Sequence, residues 1–463
     1  MRYVSTRGQA PALGFEDAML AGLARDGGLY VPESWPSLDA GTIANLAGEP
    51  YEAVAATVMM PFLGDAFTEA ELSAALARAY ACFTHPARAP LVQIGPADWL
   101  LELHHGPTLA FKDFAMQALG QLFQIALRRR GERITIVGAT SGDTGSAAIE
   151  AFRGLDAVDV FILYPHGRVS EVQRRQMTTP VEANVHALAV DGDFDACQAL
   201  VKAMFNDLAF RDAMRLAAVN SINWARILAQ IVYYFTAGVA LGAPARPVSF
   251  SVPTGNFGDV FAGHVARAMG LPVDRLVIAT NANDILHRTL LTGRHDRAGV
   301  TATTSPSMDI EVSSNFERLL FELYDCDGAA VRQLMASLKD GGFALRQGAL
   351  AALRQGFASG RADDAEAAAE IRRVRAETGL VIDTHTATGV VAARAARGDP
   401  AVPMVTLATA HPAKFPDAVE AACGLRPPLP PRMADLYDRP ERIVRLPNDL
   451  IAVEAAIRER SRS

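Results

Sequence analysis

The stretch "LHHGPTLAFKDFAMQALG", residues 103–120, carries a lysine in an electrostatically awkward position. Phe111, Phe114, Ala115, Ala118, Leu119 and Leu122 fall on one stripe at helical spacing, and Asp113, Gln117 and Gln124 fall on the other side. Lys112 lies at the edge of the apolar stripe, in the first turn of a helix expected to begin near Thr108. A helix N-terminus carries partial positive charge and disfavours a cation. An edge lysine ordinarily packs its stem and keeps its amine in water. The other reading is a reactive amine, whose pKa must be lowered by burial or nearby positive potential, as in a Schiff-base lysine. The placement that is poor for the first reading is useful for the second.

Two Gly-containing loops each sit between a strand and a helix: "GATSGDTGSAA" at 138–148 and "PTGNFGDVFAG" at 253–263. Such a turn lets backbone N–H groups converge on an anion, aided by the helix dipole. Two of them suggest one ligand with two anionic groups, or two anionic ligands. The same Gly, Asp and Asn residues could simply make tight turns. Neither loop carries the Lys-Ser/Thr of a nucleotide phosphate loop, and neither matches G-x-G-x-x-G. "ATAHPAKF" at 408–415 supplies Thr409, His411 and Lys414, which are plain loop polars or, at a strand's C-terminal end, line the usual ligand crevice of an α/β sheet. His104 and His105 are adjacent and lack an i+4 partner, and the four cysteines form no C-x-x-C pair, so no metal site is expected.

The elements that must position these residues are legible from about residue 100 onward. "RITIVGAT", "VDVFILYP", "VHALAVD", "VSFSVPT", "RLVIAT" and "VPMVTLAT" read as strands, alternating with helices such as "DFDACQALVKAMFND" and "SINWARILAQIVYYFTAGVAL". Continuous apolar strands alternating with helices predict parallel sheets covered on both faces. Residues 1–95 read as mostly helical, with a capping box from Thr68 to Glu71 before "TEAELSAALARAY" continues as a helix. "RADDAEAAAEIRRVRAETG" reads as a surface helix ending at Gly379. The predicted organisation is an N-terminal region at 1–95, a smaller α/β domain at 96–240 and a larger one at 241–463.

The 463 residues are half apolar and 21% charged, with formal net charge −7; mean hydropathy is +0.12 and the sequence pI is near 5.8. This is the composition of a soluble globular protein, with no apolar run of membrane-spanning length and no signal-peptide core at the start. The only basic run is "RRR" at 128–130, at a helix end. No nucleic-acid or membrane partner is therefore expected. A cytoplasmic location is expected.

"HHGPTLAFKDFA", "GATSGDTGSAA", "PTGNFGD", "SPSMDIEVSSNFERLL" and "TAHPAKFP" together resemble the threonine synthase family, in the long form found in bacteria and fungi. "YVSTRG" and "GLARDGGLYVP" resemble that family's extra N-terminal region, so the likeness runs in family order from residue 3 to 416. The resemblance implies a pyridoxal 5'-phosphate enzyme of fold type II, the tryptophan synthase β-like fold, with the cofactor in a cleft between two α/β domains. It implies that Lys112 is the Schiff-base and catalytic residue. It implies that Thr254, Gly255, Asn256, Phe257 and Gly258 bind the cofactor phosphate, mainly through backbone amides. Thr409 matches the residue expected to bond the pyridine nitrogen. Thr140, Ser141, Gly142 and Thr144 match the loop near the substrate carboxylate, and Asp143 stands in that loop where many relatives have Asn, beside the cofactor's phenolic oxygen. Lys414 is expected to meet the substrate phosphate. In "IDTHTATG", Thr384 stands before His385 where the family more often has Pro. The implied reaction turns O-phospho-L-homoserine and water into L-threonine and phosphate, in a monomer or homodimer. The alternatives are a threonine dehydratase or β-replacing synthase of the same fold type, an inactive ligand-binding relative, and a bare nucleotide-binding module.

Overall fold

In the computed structural model, which describes residues 1–462, two open sheets stand side by side and turn their strand ends toward one crevice. The larger sheet runs in the order Phe357–Arg361, Val273–Thr280, Val248–Pro253, Met404–Ala408, Asp98–Glu102, Leu91–Gln93. Its first five strands are parallel and the last is antiparallel to its neighbour. The second sheet is wholly parallel, in the order Val444–Leu446, Val185–Val190, Val158–Pro165, Ile134–Ala139, Leu216–Ala217. Every residue of Val158–Pro165 and of Val248–Pro253 is buried, as strands covered on both faces must be. Because these ladders are parallel, the loops after Glu102, Ala139, Pro253 and Ala408 all leave from C-terminal strand ends, where α/β sheets bind ligands.

The sheets do not divide at residues 96 and 240. Asp98–Glu102 pairs with Met404–Ala408 in the larger sheet, and Val444–Leu446 crosses back to pair with Val185–Val190 in the smaller one. Each half therefore borrows a strand from the sequence range predicted for the other, because pairing follows open sheet edges and not chain order.

The N-terminal region is mainly helical with a small antiparallel pair, Tyr3–Ser5 with Tyr30–Pro32. The predicted capping box forms, with Thr68 and Glu71 bonding each other's backbone N–H ahead of helix Glu69–Tyr80. The surface helix Asp364–Thr378 ends at Gly379 in a left-handed conformation. "RRR" closes helix Lys112–Arg130, where Arg129 and Arg130 pair with Glu16, Asp17 and Glu71.

Helix Lys112–Arg130 differs from its sequence reading in two ways. It begins at Lys112 and not near Thr108, because Leu109 sits at φ 64 and breaks the helical path. Asp113, Gln117 and Gln124 are all buried, so the helix has no solvent face for most of its length. Helices Glu69–Tyr80, Asp143–Phe152 and Trp224–Ala240 pack around it. Phe114 on the apolar stripe packs against Tyr51, Tyr80 and Phe83 of the N-terminal region, while Gly120, on the side that periodicity assigned to water, lies against Ala151 of helix Asp143–Phe152.

Candidate active site

Lys112 is the first residue of its helix, so its ammonium would sit directly in the positive end of the dipole. Its side chain is 12% exposed, and Nζ donates to Asp143 Oδ2 at 3.2 Å. Burial is the largest influence on this amine and lowers its pKa; Asp143 opposes that, while Lys414 and Arg226 add to it, and the net shift is downward. A lysine shifted this way has more of the neutral form that can act as nucleophile and base.

Asp143 is the first residue of helix Asp143–Phe152 and the hub of the site. Oδ1 accepts from Lys414 Nζ at 2.8 Å and Gln173 Nε2 at 2.9 Å; Oδ2 accepts from Lys112 and from Ser307 Oγ at 2.9 Å. Burial alone would raise its pKa, but the two ammoniums and these bonds hold the carboxyl well below its usual range. Asp143 is therefore an ionised acceptor with its lone pairs already engaged. Gly142 makes the turn before it possible: φ is 141, and a Cβ there would lie 2.3 Å from the Gln173 side chain.

Lys414 departs from its predicted role. It is fully buried, and its three N–H groups go to Asp143, to the Thr108 carbonyl at 2.8 Å and to Gln176 Oε1 at 3.3 Å. No donor is left for a substrate phosphate; the short 3-10 turn after His411 points this side chain inward to anchor Asp143 and the loop before Lys112. Arg226 is far less fully bonded than Lys414. It lies in the first turn of helix Trp224–Ala240 and is 2% exposed; among the described residues its side chain has only the Val219 carbonyl at 3.2 Å as partner, with Nε buried and unbonded. Its charge reaches Lys112. A guanidinium so poorly partnered is costly unless an anion meets it. The same helix-start oddity that singled out Lys112 could have found it in "NWARIL".

The loop at 254–258 is built to present amides. Ser313 Oγ donates to the Gly255 carbonyl at 2.6 Å, and Asn315 donates twice to the Asn256 carbonyl, both at 3.0 Å. Phe257 is left-handed at φ 63 and leads into helix Gly258–Ala268. With the carbonyls tied down behind, the N–H groups of Gly255, Asn256, Phe257 and Gly258 have no acceptor among the described residues. This is an anion cradle at a helix N-terminus. Thr254 does not join it: its N–H goes to the Ala279 carbonyl at 2.8 Å and its hydroxyl to the Val252 carbonyl at 2.6 Å.

The loop at 140–144 divides similarly. Thr140 Oγ1 braces it, accepting from Gly142 and Gly145 N–H, both at 2.9 Å. Ser141 and Thr144 keep backbone and hydroxyl donors without a partner among the described residues. Thr409 is buried, its carbonyl accepts from Phe111 N–H at 2.8 Å, and its hydroxyl makes no bond among the described residues. Ser307, absent from the sequence-derived site, joins the halves: its Oγ meets Asp143, and its N–H donates to His385 Nε2 at 3.2 Å. His385 Nδ1 faces Asp383 Oδ2 at 2.6 Å, which sets the tautomer in which Nε2 accepts. Thr384, in place of proline, donates to the Thr304 carbonyl at 2.7 Å and so braces the same segment.

His104 and His411 pack edge to face under the loops that carry Lys112 and Lys414, with ring centroids 5.2 Å apart. Burial first, and neighbouring rings next, push His104 down to about 3 from 6.5, and His411 down to about 4. Both rings are neutral in the fold, so the unfolded chain takes up protons first. Their contribution to stability is complete above pH 6.5 and is lost as pH falls from there toward 4. Urea midpoints measured across that window should fall for the wild type and fall less for His104→Phe; equal slopes would rule out this pair as the cause.

A reactive lysine, an amide cradle and convergent loops between two α/β halves define the class, a pyridoxal-phosphate-dependent enzyme of fold type II. The family model described as "Pyridoxal-phosphate dependent enzyme" matches residues 84–409. Those for "Threonine synthase N terminus" and "Threonine synthase, C-terminal" match residues 2–80 and 386–457. Threonine synthase of Pseudomonas aeruginosa is 55% identical over 459 residues, covering 99% of this chain and 98% of that protein. The crystal structure of PLP-bound threonine synthase from Brucella melitensis superposes with TM-score 0.98 at 57% identity, covering 100% of both chains. That of yeast threonine synthase gives 0.94 at 40% identity, covering 99% of this chain and 98% of the other. The chain belongs to the threonine synthase family.

Proposed function

We propose that this enzyme converts O-phospho-L-homoserine and water to L-threonine and phosphate, in the cytoplasm. The observation that carries the reading is one amine of lowered pKa with donors for several anions around it: the 255–258 amides, the Ser141–Thr144 loop and Arg226. A substrate carrying both a carboxylate and a phosphate, beside a phosphorylated cofactor, uses all three.

Lys112 would hold pyridoxal phosphate covalently, the amides of Gly255, Asn256, Phe257 and Gly258 would hold its phosphate, and Thr409 would face its ring nitrogen. Bound there, the cofactor supplies a sink for the electrons released at the substrate's α carbon. Lys112, as the neutral amine, takes the α proton and, as the ammonium so formed, is the group that returns protons later. Ser141 and Thr144 orient the carboxylate. A proton then leaves the β carbon to Lys112, once that amine has passed on the first, and the β C–H pair forms a β,γ double bond as the C–O bond at the γ carbon breaks; Arg226 holds the phosphate, which leaves with the bonding pair of that bond. Water then adds its oxygen at the β carbon and a proton ends on the γ carbon. Asp143, fixed by Lys414, Gln173 and Ser307, keeps Lys112 aimed while the amine changes charge.

Incubation with O-phospho-L-homoserine should release phosphate and threonine in equal amounts. Keto acid from serine or threonine, with no phosphate release from phosphohomoserine, would mark a dehydratase and end this reading. Arg226→Met should raise KM for phosphohomoserine by about 10- to 100-fold, the size expected for lost hydrogen bonds to a charged group. Cofactor affinity should change much less; an unchanged KM would remove Arg226 from the phosphate site.

A further inference from the structure

The turn that delivers Lys112 is held in an unfavourable shape by contacts from far along the chain. Leu109 is left-handed, a conformation that costs a residue with a side chain about 1–3 kcal/mol and persists only where its surroundings enforce it. Gly106 lies so close to Asp113 that a Cβ would stand 2.4 Å from the Asp113 Cβ. Asp113 in turn accepts from Thr108 N–H at 2.8 Å and from its hydroxyl at 2.6 Å. Nearly every carbonyl of the turn is also tied. Those of Thr108 and Leu109 meet Lys414 and the His411 N–H, members of the loop already described. Those of His105 and Gly106 accept from Thr84 N–H and Leu109 N–H, both at 3.1 Å, and both also meet one side chain from the C-terminal arm. Arg432 Nη1 donates to the His105 carbonyl at 3.0 Å and Nη2 donates to the Gly106 carbonyl. The arm that carries Arg432 also lays Met433 and Leu436 against Leu109 and Val172.

We propose that Arg432 is a positioning residue for Lys112: its planar fork, bridging two successive carbonyls, fixes the start of the turn whose end sets where the lysine amine points. The fork geometry matters because two parallel N–H groups define an orientation that a single ammonium cannot. Arg432 never touches a reacting atom. Its effect is on the placement of Lys112, and small misplacements of a catalytic group are expensive. The inference rests on the reaction proposed above for its kinetic half only.

Arg432→Gln is expected to lower kcat by roughly 10- to 100-fold while KM for phosphohomoserine stays within about threefold. Arg432→Lys, which can hold one carbonyl, should fall between the two. Hydrogen exchange of the cofactor-free protein gives a readout without turnover: amides at 105–113 should exchange faster in Arg432→Gln, with Ile134–Ala139 unchanged. A kcat within about twofold of wild type would overturn the proposal. So would faster exchange spread through the whole smaller sheet, which marks a structural arm and nothing more. If the Gln variant does not fold, wild-type kcat in Arg432→Lys is the overturning result. Should the wild type release no phosphate, the proposed reaction fails, and the exchange comparison still decides the role of Arg432.

Discussion

Lys112→Ala is expected to lose at least roughly 10³-fold in kcat, since one side chain is asked both to hold the cofactor and to move the α proton. It should also lose the visible absorbance of lysine-linked pyridoxal phosphate while keeping its fold. The chain makes this test unusually clean. It has only four lysines, Lys112, Lys202, Lys339 and Lys414. Lys414 is the only other one in the site, and all three of its N–H groups are committed elsewhere. A small primary amine added to Lys112→Ala should restore part of the rate, because the missing group is a base more than a support. Retention of the lysine-linked band in the variant would move the cofactor to another residue and undo the site.

Asp143→Ala should have the largest effect on stability. The carboxylate is the only anion bonded to Lys414 among the described residues, Lys414 is fully buried, and the carboxylate is the partner of Lys112 as well. Removing it leaves the fully buried Lys414 ammonium without its counter-charge and close enough to Lys112 to act on it. Breaking a buried pair from one side costs about 3–5 kcal/mol, because the remaining charge is uncompensated. The loss should show as a lowered urea midpoint. Adding Lys414→Met to Asp143→Ala should recover much of it, since the second change removes the stranded charge. If the double variant is as unstable as the sum of the single ones, the two residues do not act as a pair. The pKa of Lys112 should fall further in Asp143→Ala, as the influence that raised it is gone.

How much of this was open to a reader of the sequence depends on the distance over which each feature is determined. Lys112 and the two loops are local: a cation at a helix start and glycines at strand ends announce themselves within a dozen residues. The parallel sheets follow from apolar strands spaced by helices. Arg226 was equally local, being, like Lys112, a cation in the first turn of a helix. Ser307, Gln173 and Arg432 were not, because each matters only through a partner that the fold brings from elsewhere. The same holds for the late start of helix Lys112–Arg130: Leu109 has no intrinsic preference for its left-handed shape, and remote donors impose it. Asp113, Gln117 and Gln124 look like a wet face until helix Asp143–Phe152 and the other helices around Lys112–Arg130 are packed in. The engagement of Lys414 was hidden for a related reason, since its partners Gln176 and Asp143 come from another part of the chain.

The crossing of Val444–Leu446 into the smaller sheet has a consequence for how the molecule comes into being. During synthesis, that sheet's other strands leave the ribosome long before this one, and Arg432 emerges only shortly ahead of it. Contacts between remote segments form late and slowly. The scaffold can therefore be nearly complete while the turn before Lys112 is still free to relax. The fork of Arg432 can close on that turn only after the C-terminal arm has been made, so a nascent chain carries the lysine before this hold on it exists.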